Sequence, residues 1–279
     1  MFTFTGTDGL RLYVHQWQHP GAPRGVVQIS HGMGEHGGLY SRLAVTLVRH
    51  GYAVYAHDHR GHGKSMKEGP GHLGEDGWNR LVADLCAVTG HLRDRHPGLP
   101  LVLIGHSMGS YAVQQLLLDR ADLLAGAVLT GTTALDGLVA RLEKEPDRIG
   151  YYNAAFEPVR TSYDWVSRDD AFVDAFVVDP LCAFPLDADG LRSMYAAAPR
   201  LAAPDSVPPD LPLYVMVGEH DPLNAGLTLS DLLVRRYRRA GLTDLTYRTY
   251  PEARHHLLHE TNSDEVTADL VAWITRVTG

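Results

Sequence analysis

The sequence predicts an α/β protein with a mostly parallel sheet, helices on both faces and an inserted helical cap. Three observations predict this class. Short apolar runs of strand length alternate with helical patterns in both halves of the chain. A Gly-x-Ser-x-Gly pattern at residues 105–109 stands between a predicted strand and a predicted helix. The alternation stops between about residues 131 and 212, where aspartate, proline and aromatic residues are frequent.

The first half of the chain supplies an edge hairpin and four central strands. Residues 2–4 and 10–17 flank the turn signal Thr7-Asp8-Gly9, which predicts an antiparallel hairpin. Apolar runs predict buried strands at residues 26–29, 52–56, 101–104 and 126–129, and helical spacing predicts helices at 39–50, 78–92 and 113–118. Such alternation with short connections is typical of a parallel sheet.

The second half begins with the predicted cap. An apolar helical stripe there is predicted to end at Pro146; it comprises Ala134, Leu135, Leu138, Val139 and Leu142. This stripe either packs the cap onto the core, which we prefer, or meets an acyl chain or a lipid surface. Strands at 213–217 and 245–250 and helices at 227–239 and 266–277 then resume the pattern. We therefore expect a core of residues 1–131 and 212–279 and an inserted stretch of residues 132–211. We interpret this stretch as a cap, because loops that long inside a compact domain are usually functional.

Composition excludes several functional classes. The 279 residues carry a net charge of −8, which argues against a nucleic-acid partner, so the arginine-rich run at 235–239 is interpreted as a solvated helix face. No apolar run approaches the roughly 18 residues of a membrane helix, and the N-terminus lacks a secretory pattern. The two cysteines, Cys86 and Cys182, make no disulfide framework, so we expect a cytoplasmic protein. Cys86 lies on an apolar helix face and Cys182 has no basic neighbour in sequence, so we expect no catalytic thiol.

The pattern Gly105-His106-Ser107-Met108-Gly109 carries the strongest chemical signal. A serine hydroxyl is a weak nucleophile, so it must be exposed, close to a base and close to oxyanion donors. A sharp strand-to-helix turn meets these needs, and small residues at 105 and 109 allow the two elements to approach. Ser107 is therefore the predicted nucleophile, with the backbone N–H of Met108 at the start of the helix.

The acid and the base are predicted from chain order, which in this arrangement runs serine, acid, histidine. Asp221 follows a predicted strand and is the preferred acid, with Glu219 as its rival. The base is His255 or His256, which spacing alone does not separate. His259 is a further rival, for which an exposed or helix-capping role is the plainer interpretation.

A glycine-rich loop follows the first central strand and reads His-Gly-Met-Gly-Glu-His at residues 31–36. Its glycines allow a tight turn with inward N–H groups, which suits an oxyanion hole. A second histidine-rich run, His57 to His62, lacks the ligand order of a metallo-hydrolase, so we interpret it as structural and expect no metal.

These motifs, with Asp-His-Arg-Gly-His-Gly-Lys-Ser at residues 58–65, resemble the monoacylglycerol lipase and lysophospholipase branch of the α/β-hydrolases. Residues 250–260 resemble the family's Tyr-x-Gly-Ala-x-His-x-Leu-x-x-Glu loop, with Glu252 where the family usually has glycine. The resemblance covers nearly the whole chain, including residues 160–169 and 179–182. It implies an α/β-hydrolase fold. It also implies the following site: base His255, acid Asp221, and oxyanion N–H groups from Met33 and Met108.

We therefore expect a serine hydrolase that cleaves carboxylic esters through an acyl-enzyme without a metal or organic cofactor. The resemblance implies a monoacylglycerol or lysophospholipid substrate, and a short-chain carboxylesterase is the close alternative. Aminopeptidases, acyltransferases and haloperoxidases share the fold; a peptidase would need an anionic pocket, for which Asp169, Asp170 and Asp174 are candidates. A third possible functional class is a non-catalytic binding protein with the same fold. We expect a small-molecule ester or lipid partner and at most transient contact with a lipid surface, and the sequence leaves the oligomeric state open.

Overall fold

The chain forms an eight-stranded sheet flanked by helices on both faces. The computed structural model describes residues 1–145 and 147–279 and, for residues 148 and 149, the backbone alone. The predicted helix end at Pro146 lies outside these described residues. The strands are β1 (Phe2–Thr5), β2 (Arg11–Trp17), β3 (Gly25–Ser30), β4 (Tyr52–His57), β5 (Leu101–His106), β6 (Gly126–Thr130), β7 (Leu213–Gly218) and β8 (Leu245–Tyr250).

The strand order is β1-β2-β4-β3-β5-β6-β7-β8, and β3 to β8 pair in parallel. The hairpin β1–β2 joins the edge through antiparallel pairing of β2 with β4. Each predicted strand lies within one or two residues of the observed one. The predicted fold class is confirmed, because β3 to β8 pair in parallel and a core with helices covers each face of the sheet.

Ten helices are described, and helices cover both faces of the sheet. They are α1 (Ser41–Arg49), α2 (Gly77–Arg95), α3 (Met108–Arg120), α4 (Leu135–Leu142), α5 (Arg148–Asn153), α6 (Asp170–Val178), α7 (Ala188–Ala196), α8 (Ala198–Leu201), α9 (Thr228–Arg239) and α10 (Ser263–Thr278). One apolar core lies between the sheet and α2, α3 and α9, and a second lies between the sheet and α1 and α10. Neighbouring strand residues serve opposite cores, as Val26 and Val27 do.

Helices α4 to α8 lie between β6 and β7, where the described residues contribute no strand to the sheet. We call residues 131–212 the inserted segment. The apolar stripe of α4 faces inward, since Leu135, Leu138 and Leu142 are buried in the larger core. The stripe therefore packs the inserted segment onto the core, as preferred from the sequence.

Helix α9 corrects one sequence expectation. Arg236 does not belong to a solvated face: its guanidinium donates to both carboxylate oxygens of Asp136 on α4, at 2.6 and 2.7 Å. Its arginine neighbours at 235, 238 and 239 are exposed. Sequence periodicity gave no sign of this contact because the two residues are 100 positions apart. Among the described helices, none combines the length and the apolar character needed to cross a bilayer.

Candidate active site

Ser107 lies on a sharp turn between β5 and α3. Its backbone has φ 51° and ψ −121°, a conformation that costs a non-glycine residue about 1–3 kcal/mol. Close packing maintains this turn, because a Cβ at Gly109 would lie 2.2 Å from the Ser30 carbonyl oxygen, and one at Gly105 would lie 2.7 Å from the Gly109 carbonyl oxygen. The two glycines thus let strand and helix approach, as the sequence predicted, and the turn presents the Ser107 side chain.

Three predicted site residues are in direct contact. The Ser107 hydroxyl lies 2.8 Å from His255 Nε2, and His255 Nδ1 lies 2.8 Å from Asp221 Oδ2. Asp221 follows β7, and its other oxygen, Oδ1, accepts the backbone N–H of Leu223 at 3.0 Å. Asp221 and His255 are buried, at 1% and 3% exposure. A carboxylate, an imidazole and a hydroxyl in this order form the proton-transfer chain of nucleophilic catalysis.

The rival residues make other contacts. Glu219 accepts the Thr249 hydroxyl at 2.8 Å. His256 is fully buried behind His255 and faces Glu35 rather than Ser107. The expectation of an exposed or capping His259 was wrong, since its Nε2 donates to the Leu39 carbonyl across the fold at 3.0 Å.

Two backbone N–H groups are available beside Ser107. Among the described residues, the N–H groups of Met33 and Met108 have no hydrogen-bond acceptor in the protein. Met108 is the first residue of α3, where the helix dipole favours negative charge. The loop that carries Met33 turns at Gly34, whose φ is 62° and where a Cβ would lie 2.3 Å from the Phe184 carbonyl oxygen.

Ser107 opens into a cavity of about 440 Å³ between the core and the inserted segment. Met33 and His255 line its reactive end. Its other walls are mainly apolar or aromatic and comprise Tyr152, Tyr163, Trp165, Val166, Phe176, Phe184, Pro185, Leu191, Tyr195 and Leu223. The Trp165 ring centroid lies 5.0 Å from that of His255. None of these wall residues was predicted from the sequence, because no periodic pattern connects them.

The loop that carries His255 is tied to the inserted segment by a buried glutamate. Glu260 is 1% exposed, and its Oε2 accepts the guanidinium Nε of Arg168 at 2.8 Å. Its Oε1 accepts the backbone N–H groups of Arg168 and Arg254, at 3.1 and 2.8 Å. This glutamate is the last position of the family loop pattern, which was the one available signal for its importance.

Glu252 shows how the loop accommodates its departure from the family pattern. Its φ is 58°, so a glutamate occupies the left-handed conformation that glycine adopts more readily. Its carboxylate lies 3.3 Å from Arg168 but is 76% exposed, so the ion pair contributes little stability. The loop therefore retains a glycine-like turn with local backbone strain.

We expect Glu252→Gly to raise the free energy of unfolding by about 1 kcal/mol, because a side chain in this conformation costs about that much. Thermal unfolding should show a melting temperature a few degrees above wild type. Glu252→Ala is the matched control, since it removes the ion pair and keeps the strained Cβ. A Glu252→Gly variant that melts below Glu252→Ala would contradict the account.

Among the described residues, three groups of side chains bring metal-ligating atoms within 4.8 Å of one another. Two of them depend on His36, whose Nδ1 accepts the Gly38 N–H, so its Nε2 carries the hydrogen and donates to Asp179. The third comprises Glu35, His106 and His256, whose two rings stack with centroids 4.0 Å apart. Two imidazoles on one tetrahedral zinc would hold their centroids about 5 Å apart, so the stacked pair does not match that geometry.

Neither cysteine is a plausible nucleophile in place of Ser107. Burial raises the pKa of the Cys86 thiol to about 11, and burial also raises the pKa of Cys182. A thiol must ionise to attack a carbonyl, so both are unreactive at neutral pH.

The sheet order, the turn at Ser107 and the contact of Ser107, His255 and Asp221 are those of an α/β-hydrolase. Residues 21–262 match the Hydrolase_4 family, described as serine aminopeptidase S33. The chain is also 31% identical to a monoacylglycerol lipase of Mycolicibacterium smegmatis over 98% of its own length and 95% of that protein. It therefore belongs to the Hydrolase_4 family of α/β-hydrolases, within its monoacylglycerol lipase branch.

Further relatives agree with this placement. A mouse monoglyceride lipase is 29% identical over 92% of this chain and 87% of its own length. Among solved structures, a thermostable carboxyl esterase from Bacillus coagulans superimposes with a TM-score of 0.85 at 25% identity, covering 100% of this chain and 98% of the other. The predicted family resemblance is thereby confirmed.

Proposed function

We propose that this protein is a carboxylic ester hydrolase of the monoacylglycerol lipase type, in which Ser107, His255 and Asp221 form the catalytic triad. The observation that carries the assignment of roles is the continuous contact from the Ser107 hydroxyl through His255 to Asp221, with 2.8 Å at each step. Similarity to a monoacylglycerol lipase over 98% of the chain supports the reaction class.

In the proposed mechanism, Ser107 Oγ attacks the ester carbonyl carbon while its proton passes to His255 Nε2. Asp221 Oδ2 accepts the Nδ1–H of His255, which keeps the Nε2 lone pair directed at the serine and stabilises the imidazolium that forms. The tetrahedral intermediate then collapses, and His255 protonates the departing alcohol. Water, deprotonated by the same histidine, hydrolyses the acyl-enzyme.

The N–H groups of Met33 and Met108 are proposed to hold the oxyanion of both tetrahedral intermediates. Both are available as donors beside Ser107, and fixed donors at a site of developing charge are worth about 100-fold to 1000-fold in kcat each. Met33 lies on the loop after β3 and Met108 on the first turn of α3. The hole thus depends on how two separate segments are held together.

We infer that residues 132–211 act as a cap that encloses the acyl chain of the substrate. Most of the apolar walls of the 440 Å³ cavity come from this stretch, among them Trp165, Phe176 and Leu191. An apolar cavity beside the nucleophile favours an ester with a hydrocarbon acyl chain, and a monoacylglycerol satisfies this requirement.

A serine aminopeptidase is the alternative that the family description raises, and the cavity argues against it. The acidic candidates from the sequence are engaged outside the cavity: Asp169 caps α6, and Asp170 and Asp174 pair with Arg160. Of the carboxylates that line the described cavity, Glu35 accepts two hydrogen bonds and Asp147 caps α5. Neither is presented as a free anionic pocket for a substrate amine.

We expect kcat/KM for monoacylglycerols to rise by about threefold to fourfold per added methylene until the cavity is filled, because each buried methylene contributes about 0.8 kcal/mol. The measurement is a chain-length series run beside a short aryl ester and an aminoacyl amide of equal size. Leu191→Trp is the matched variant and should move the plateau to shorter chains. Faster cleavage of the amide than of the esters would overturn the proposed substrate class.

A further inference from the structure

Glu35 lies where the three segments of the proposed site meet. Its Oε2 accepts the Gly32 N–H at 2.9 Å and the Tyr40 hydroxyl at 2.8 Å. Its Oε1 faces Nε2 of His106 at 3.5 Å and Nε2 of His256 at 3.4 Å. Gly32, His106 and His256 are the chain neighbours of Met33, Ser107 and His255, respectively.

The backbone carbonyl of Leu39 determines which ring nitrogens of His259 and His256 carry hydrogen. His259 Nε2 lies 3.0 Å from the Leu39 carbonyl oxygen, which only accepts, so this nitrogen carries the hydrogen. Burial lowers the pKa of His259 to about 4, so the ring is neutral and its Nδ1 is an acceptor. His256 Nδ1 lies 3.2 Å from that acceptor and must therefore donate to it.

His256 consequently presents a lone pair to Glu35. Burial holds the pKa of His256 well below its usual range, so the ring is neutral and its Nε2, having no hydrogen, is an acceptor. This nitrogen has no partner at hydrogen-bonding distance among the described residues. An ionised Glu35 would set a second acceptor against the His256 lone pair, with both side chains buried, an arrangement that is costly.

We propose that Glu35 is a positioning residue that is neutral in the active enzyme, and that the proton on its Oε1 is shared with Nε2 of His256. This proton connects the loop that carries Met33 to the loop that carries His255. The inference rests on the proposed function, since it assigns a task relative to the triad. Burial also raises the pKa of Glu35 to about 7, so the carboxyl is mostly protonated below that pH.

The consequence for catalysis concerns the oxyanion hole and the base. The Gly32 N–H bond to Glu35 fixes the peptide next to Met33, and the stack of His106 on His256, with centroids 4.0 Å apart, joins the serine turn to the histidine loop. Loss of the Glu35 side chain releases Gly32, Tyr40 and His256 at once. The apolar walls of the cavity take no part in these bonds, so kcat should change much more than KM.

Two substitutions separate a neutral from an ionised Glu35. Glu35→Gln keeps an oxygen for Gly32 and Tyr40 and offers an N–H to His256, so it reproduces the neutral acid. We expect its kcat within about threefold of wild type. We expect Glu35→Ala to lose about 100-fold to 1000-fold in kcat, the effect of one misplaced oxyanion donor, with KM within about threefold. If Glu35→Gln loses as much as Glu35→Ala, the ionised carboxylate is required and the proposal is overturned.

The shared proton can be observed directly, even if Glu35→Ala fails to fold. An infrared difference spectrum of wild type minus Glu35→Gln at about pH 6, below the carboxyl pKa, should contain a protonated-carboxyl carbonyl band. That band should shift in His256→Val, which removes the acceptor. Absence of the band would refute the proposal.

Glu260→Gln is the matched control, because Glu260 is equally buried but faces only donors, including Arg168. Its difference spectrum should show no protonated-carboxyl band. The infrared result is independent of the triad assignment: if Ser107→Ala kept full activity while the band was present, the proposed function would fail, whereas a missing band with an inactive Ser107→Ala would defeat only the proton assignment.

Discussion

Ser107→Ala is expected to lower kcat for ester hydrolysis by about 10⁴-fold to 10⁶-fold, because no other group can form the acyl-enzyme at this position. The residual rate should come from the oxyanion donors and from binding alone. The variant should fold normally: alanine has the same backbone restriction as serine at φ 51°, so the free energy of unfolding should stay within about 1 kcal/mol of wild type.

The measurement is steady-state hydrolysis of a monoacylglycerol and of an aryl ester, together with thermal unfolding. His255→Ala should lose activity to a similar extent, since the serine is then left without a base. Full activity in folded Ser107→Ala would show that the nucleophile lies elsewhere.

Asp221→Asn has the second large expected effect, a loss of about 10⁴-fold in kcat. The hydrogen bonds of residue 221 explain the size of this loss. The Leu223 N–H can only donate, so the asparagine oxygen should remain where Oδ1 is now. The amide NH₂ then takes the place of Oδ2 and donates to His255 Nδ1. His255 is thereby held in the tautomer with hydrogen on Nε2, which cannot accept the proton of Ser107.

Glu219→Gln is the control for this prediction, because Glu219 lies in the same loop and bonds only to Thr249 among the described side chains. We expect it to keep its kcat within about threefold. If Glu219→Gln were inactive and Asp221→Asn active, Glu219 rather than Asp221 would be the acid. The two variants thus decide between the candidates that chain order alone left open.

Much of the architecture was predictable because it follows from local patterns. Strand lengths, helix periodicity and the glycine positions around Ser107 are properties of short stretches, and the observed elements match them within a few residues. The proposed nucleophile was identified for the same reason, since one turn determines its backbone conformation and its exposure.

The choice between His255 and His256 was not local. Both occupy one loop, and the difference arises from what each ring meets across the fold: Asp221 and Ser107 for His255, and Glu35 and His259 for His256. The resemblance indicated His255, and the structure brings that residue into contact with the serine.

Other features depend on contacts between residues far apart in the sequence, so they could not be predicted from it. The Arg236–Asp136 pair joins residues 100 positions apart, and Arg168–Glu260 joins residues 92 apart. The aromatic walls of the cavity come from several helices of the inserted segment. The sequence places Glu35 in the glycine-rich loop, but its burial beside His106 and His256 could not be predicted.

The most direct test of the account is to mix the enzyme with a long-chain monoacylglycerol, quench the reaction in acid during turnover and measure the protein mass. The account predicts an added mass equal to one acyl group, on the peptide that contains Ser107, and no adduct in Ser107→Ala. Acid stabilises the ester, so the intermediate should survive digestion. Turnover with no acyl adduct at Ser107, or an adduct on another residue, would contradict the account.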